Sequence, residues 1–102
     1  MLGAIIGDIV GSRFEWNNIK TKDFELMNYH CNVTDDSIMS LAIAKAILES
    51  DAQYNRIEAY AVRFMQELGR KYPDAGYGSN FFSWLHEDNP KPYNSFGNGA
   101  AM

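Results

Sequence analysis

The sequence predicts an all-α fold, on three observations. Apolar residues recur at the three-and-four spacing of helices along most of the chain. Two long segments carry helix start or stop signals, Thr34-Asp35-Asp36 before one and Pro73 after the other. Stretches rich in glycine, proline and asparagine separate the periodic segments. All 102 residues fall within the size of one small domain.

The first helix is expected over Leu2–Phe14. Leu2, Ile5, Ile6, Ile9 and Val10 share its apolar spacing, and Gly3, Gly7 and Gly11 recur every four residues on one face. A strand reading would suit Ile and Val, but strict alternation is absent. Each mid-helix glycine costs about 1 kcal/mol relative to alanine, so close approach of another backbone is expected along that face. Glu15 to Val33 has no sustained period and reads as irregular. A second helix opens at Thr34-Asp35-Asp36-Ser37, with Ile38, Leu41, Ala42, Ile47 and Leu48 as its expected apolar stripe. After a turn at Asp51 to Asn55, a third is expected over Arg56 to Tyr72. There Ile57, Tyr60, Ala61, Phe64 and Leu68 lie on one face, and Pro73 closes the helix.

Asp74 to Ser79 is a glycine-rich loop, Phe81 to His86 a short aromatic helix, and Asn89-Pro90-Lys91-Pro92 a turn or extended segment. Ser95 to Gly99 is a second glycine-rich loop, and Ala100 to Met102 read as the first turn of a further helix. A single helical turn does not nucleate alone. Aromatic residues make up 14% of the chain, so apolar helix faces left open to more protein are expected.

Nine basic residues against thirteen acidic give a net charge of -4. Nucleic-acid binders need a positive face, and no basic cluster exceeds Arg70-Lys71, so no nucleic-acid partner is expected. The apolar stretch Leu2–Val10 is broken by Asp8 and far shorter than the roughly 20 residues of a membrane span. One cysteine, Cys31, excludes an internal disulfide and fits a reducing compartment. No basic run precedes the N-terminal apolar stretch. A soluble, cytoplasmic protein is the expectation.

Thr34-Asp35-Asp36 supports two readings. Threonine is a favoured N-cap, and acids in the first turn complement the helix dipole. The same hydroxyl and carboxylates are hard oxygen ligands of the kind Mg²⁺ and Mn²⁺ prefer, although two carboxylates cannot saturate an octahedral ion. Asp8, in an apolar stretch, needs a partner, such as a neighbouring helix that it caps or bridges. Glu15, at the end of the first helix, taken alone reads as a surface acid. Gly76-Tyr77-Gly78 and Ser95-Phe96-Gly97-Asn98-Gly99 serve either as linkers or as ligand loops. Glycines flanking Asn98 permit successive N–H groups to converge on an anion such as a diphosphate. His30, Cys31 and His86 lack zinc-site spacing, and no nucleophile elbow or P-loop is present.

Four ordered stretches, GAIIGDIVGS with Glu15 after it, TDDSIMSLAIA, DAGYGSNFFSWL and KPYNSFGNGAAM, resemble the ADP-ribosylglycohydrolase family. The resemblance covers nearly the whole chain and implies the N-terminal portion of that family's helical fold. It implies metal-dependent hydrolysis of the N- or O-glycosidic bond of ADP-ribosylated proteins or small molecules, with a pair of Mg²⁺ or Mn²⁺ ions. By the resemblance, Thr34, Asp35 and Asp36 match the first metal ligands and Glu15 matches an acid implicated in catalysis. Gly76, Tyr77 and Gly78 match a loop near the ligand, and Ser95, Phe96, Gly97, Asn98 and Gly99 match the loop that cradles the phosphates of ADP-ribose. Family members continue further and supply the remaining ligands from a D-x-D motif, which this sequence lacks. Residues 1–102 are therefore expected to be the N-terminal fragment of such a domain, inactive alone, seeking its C-terminal half or another copy of itself. The rival expectation is a non-catalytic helical interaction module, or a fragment that binds ADP-ribose weakly.

Overall fold

The structure, a computed structural model, describes residues 1–97. Four α-helices, α1 (Leu2–Gly11), α2 (Asp35–Glu49), α3 (Tyr54–Lys71) and α4 (Ser79–Leu85), form it, with a 3₁₀ turn at Ser12–Phe14 and no strand among the described residues. The expected first helix is thus present, its last turn tightened to 3₁₀. The third begins at Tyr54 rather than Arg56 and ends one residue earlier than expected. The fourth begins two residues before the expected Phe81.

α2 and α3 pair as an antiparallel hairpin, and their contact is the core. Ala42 and Ala46 are fully buried beneath Phe64, with Tyr60, Ala61, Met65 and Leu68 packed around them. The face of α2 that is buried is therefore Ser37, Ile38, Ala42 and Ala46. Leu41, Ile47 and Leu48 of the expected stripe are exposed instead, Leu48 at 77%. The physical reason is size matching. α3 brings the large side chains, so α2 meets them with alanines, and interiors pack to crystal-like density only when large faces small. The turn between the helices places Asp51 and Ala52 at positive φ, 51° and 55°. This left-handed geometry closes the end of α2, with Ala52 N donating to Ile47 O at 3.1 Å.

α4 lies against the C-terminal half of α3 at a glycine. A Cβ on Gly69 would stand 2.6 Å from both Leu85 methyl carbons, and Leu85 is fully buried. The carbonyls at the end of α4 find their partners on α3. Gln66 Nε2 donates to Trp84 O and Glu87 O at 3.1 and 2.9 Å, and Arg70 Nε donates to Leu85 O at 2.5 Å. A seven-residue helix is too short to persist alone, and these side chains satisfy the end that it cannot. Trp84 is buried, and its indole N–H donates to Lys91 O at 3.0 Å, which pins the segment beyond α4.

α1 packs differently. None of its residues is fully buried, and Leu2 is 74% exposed. The close backbone approach expected at Gly3, Gly7 and Gly11 is absent, since a Cβ added at any of them meets no atom within 4 Å among the described residues. The irregular segment after α1 is tethered by its own side chains. Arg13 donates to Glu25 O and its guanidinium lies 4.5 Å from the Phe14 ring, itself edge-on to Phe24 at 5.2 Å. The radius of gyration is 15.0 Å, against about 13 Å for a compact domain of this length. Among the described residues, no helix is long and apolar enough to cross a membrane.

Candidate metal centre

The site forms where α1 meets the first turn of α2. Thr34 is the N-cap, with extended backbone at φ -109° and ψ -177°, and its Oγ1 accepts from Asp36 N at 3.3 Å. That places Asp35 and Asp36 in the first helical turn, where the helix dipole favours negative charge. Asp8 reaches across from α1. Its carboxylate accepts from Thr34 N at 3.0 Å, from Thr34 Oγ1 at 2.5 Å and from the hydroxyl of buried Ser37 at 2.5 Å. Such short contacts mark charge-assisted bonds. Burial works to raise the Asp8 carboxyl, but the bonds from Ser37 and Thr34 outweigh it and hold it below the usual carboxylate range. The reading of Asp8 as a bridge to a neighbouring helix thus holds, and the helix is α2.

The 74–78 loop joins the site through the backbone. Asp35 N donates to Ala75 O at 2.8 Å. Gly76 has φ +101°, and a Cβ built on it would lie 3.6 Å from Asp35 Oδ1, so the loop turns directly over that carboxylate. Tyr77 follows, its ring 5.8 Å from Phe81, which stacks on Trp84 at 5.4 Å. The Tyr77 hydroxyl is buried without a hydrogen-bond partner. Burial first, and then the Asp35 charge, push it up to about 12.

Electrostatically the site is short of positive charge. Burial, then Asp36, then the more distant Glu15 and Asp8 raise the Asp35 carboxyl above its ordinary value, against a partial offset from its backbone hydrogen bond. Among the described residues, no Lys or Arg pairs with Asp35 or Asp36; the ion pair formed there, Lys45 to Glu67 at 3.0 Å, lies elsewhere. Nor do three or more His, Cys, Asp or Glu side chains converge on one point among them. The donor set is two carboxylates and a hydroxyl, all oxygen. This chemistry fits a hard divalent cation, which would relieve the mutual repulsion of the acids, and it leaves coordination positions for other ligands.

Of the residues singled out in the sequence, Thr34, Asp35, Asp36, Gly76 and Tyr77 are therefore brought together, and Glu15 lies near enough for its charge to act on Asp35. Gly78 is the N-cap of α4. Ser95, Phe96 and Gly97 are exposed. Their hydrogen bond is internal, Gly97 N to Ser95 Oγ at 3.0 Å, and Phe96 is 99% exposed. Asn98 and Gly99, with the expected helix at Ala100 to Met102, lie outside the described residues. Ser37 went unread in the sequence. Its signal is only the small polar residue three places after the N-cap, where a capping glutamate is common.

The family described as ADP-ribosylglycohydrolase matches residues 1–102. Among curated relatives, the ADP-ribosylhydrolase ARH3 of Xenopus tropicalis is 32% identical over 127 aligned positions. That alignment takes in 100% of this chain and 35% of the relative, so the chain spans about a third of the relative's length. No solved structure matches.

Proposed function

The chain belongs to the ADP-ribosylglycohydrolase family, and from that premise we propose that Thr34, Asp35 and Asp36 are one part of a divalent-metal centre. The reaction proposed for the complete domain is hydrolysis of the N- or O-glycosidic bond to ADP-ribose on a protein or small molecule. The observation that carries the reading is the all-oxygen cluster at the start of α2, where the 74–78 loop turns over a half-buried Asp35 beside Asp36 and Thr34, with no Lys or Arg paired to the acids among the described residues.

When bound, Mg²⁺ or Mn²⁺ supplies Lewis-acid polarisation and a more acidic water. The chain's own residues do the rest. Asp35 and Asp36 furnish carboxylate oxygens, and Thr34 a hydroxyl oxygen. Glu15 positions a water or accepts its proton. The Gly76-Tyr77-Gly78 loop borders the ligand, with Tyr77 kept neutral and its hydroxyl free to bond an incoming polar group. Ser95, Phe96, Gly97, Asn98 and Gly99 hold the phosphates and fix the ribose for attack. Residues 1–102 act as the N-terminal part of a longer domain, in the cytoplasm, and alone hydrolyse slowly or not at all, because two carboxylates leave an octahedral ion under-ligated.

Thermal unfolding with added MgCl₂, MnCl₂ or ADP-ribose tests the reading. A rise in Tm that disappears in Asp35→Ala and Asp36→Ala is expected. A second reading, a helical module that assembles with more protein or with itself, draws on the exposed Leu2, Leu41, Ile47 and Leu48. Concentration-dependent assembly indifferent to metal would favour it over the first.

A further inference from the structure

We propose that Asp8 is a positioning residue for this centre: its carboxylate accepts the hydrogen bond of the Thr34 hydroxyl and so aims an oxygen lone pair of Thr34 at the cation. The proposal rests on the reading of Thr34, Asp35 and Asp36 as ligands and names the group that makes Thr34 competent.

A threonine hydroxyl has one proton and two acceptor lone pairs, and its rotor turns to suit its neighbours. At Thr34 that freedom is gone. An ionised carboxylate only accepts, so the 2.5 Å contact between Thr34 Oγ1 and Asp8 Oδ1 has one direction, with threonine donating. Asp36 N donates to the same Oγ1 at 3.3 Å and occupies one lone pair. The second lone pair has no donor among the described residues, and it belongs to a side chain next to Asp35 and Asp36.

Asp8 acts through Thr34 and does not reach for the ion itself. Its Oδ2 already accepts from Thr34 N at 3.0 Å and from Ser37 Oγ at 2.5 Å. Ser37 is 1% exposed, so this anchor is buried and fixed. The three bonds join residues 26 and 29 positions apart. They therefore lock α1 to the first turn of α2, as well as setting the hydroxyl. A partner that orients a ligand in this way commonly matters to metal affinity by about 10–100-fold.

Asp8→Asn separates the two roles. The amide keeps a carbonyl oxygen for Thr34 N, but its N–H now donates to Thr34 Oγ1, which fills the lone pair and turns the hydroxyl proton outward. Mn²⁺ binding is measured by calorimetric titration on the chain, on Asp8→Asn, on Thr34→Val, on the double variant and on Asp35→Asn, with far-UV circular dichroism of each. Affinity about tenfold weaker in Asp8→Asn, with helicity retained and no further loss when Asp8→Asn is added to Thr34→Val, supports the proposal. An unchanged affinity, or an equal loss in both backgrounds, overturns it. If Asp35→Asn binds Mn²⁺ as well as the parent, the metal reading itself fails, whatever Asp8 does. Should Asp8→Asn lose helicity, the parent chain answers: three-bond NMR couplings must show a single Thr34 χ1 rotamer before metal is added, and an averaged rotamer overturns the proposal.

Discussion

Glycine serves opposite ends of this molecule in opposite ways. On α3, Gly69 is where α4 comes closest, and a Cβ there would collide with the buried Leu85 at 2.6 Å. On α1, Gly3, Gly7 and Gly11 face open space among the described residues. The α3–α4 side is closed, with helix ends satisfied by Gln66 and Arg70. The α1 side is held to α2 chiefly by one carboxylate, Asp8, and buries no residue fully. The same residue type thus completes packing in one region and leaves it unfinished in the other. Asp35 and Asp36 sit at the start of α2, between α1 and the loop that follows α3.

Substitutions at these glycines break the comparison most sharply. Gly69→Ala gains helix propensity but forces Leu85 out of place. Overpacking of this kind costs about 1–3 kcal/mol, so chemical denaturation should show a net loss of stability. Gly76→Ala comes next. Its φ of +101° lies where side chains are strained, and a loss of about 1–2 kcal/mol is expected, together with a weaker metal-induced rise in Tm as the loop over Asp35 shifts. Gly7→Ala should go the other way. With no atom in the path of its Cβ, the variant is expected to stabilise this chain by up to about 1 kcal/mol; a loss would mean that something covers the α1 face in solution.

The smallest expected effect is electrostatic. Asp8 has a lowered folded-state pKa, so its contribution to stability is present above the unfolded value and disappears as pH falls through the folded one. Asp35 has a raised one, and its sign is reversed: its folded carboxyl favours the proton, so its contribution is full below the unfolded value, about 3.9, and is lost as pH rises through the folded value. Asp35→Asn should therefore stabilise the metal-free chain at neutral pH by roughly 0.5 kcal/mol, the scale of partly exposed charge interactions. The gain should vanish in acid. Denaturation curves at several pH values check both signs.

Helix periodicity made much of this fold legible. The stripe of Ile57, Tyr60, Ala61, Phe64 and Leu68 gave α3 its inward face, and Thr34 marked the start of α2. The inward face of α2 was read in part: Ile38 and Ala42 of the expected stripe are buried, but Leu41, Ile47 and Leu48 are exposed, because large apolar residues draw the eye whereas a small one, Ala46, is what fits beside Ala42 beneath Phe64. Gly69 carries no local signal, since its need comes from Leu85, which lies on another helix. At the site, residue types spoke for Thr34, Asp35 and Asp36, and resemblance to the family strengthened them. The bonds from Thr34 and Ser37 to Asp8 span too much chain for any spacing rule to reveal. The 76–77 loop lies over Asp35 through one backbone bond, Asp35 N to Ala75 O, a link that no side-chain pattern encodes.

The metal reading stands or falls on where a divalent cation sits. Amide spectra of the ¹⁵N-labelled chain, recorded as Mn²⁺ is added in small steps, locate even a weak site by paramagnetic broadening. Loss of signal confined at first to Asp8, Thr34, Asp35, Asp36 and Tyr77, and abolished by Asp35→Asn with Asp36→Asn, is the expected result. Broadening spread over all exposed acids, or centred away from the start of α2, would contradict it.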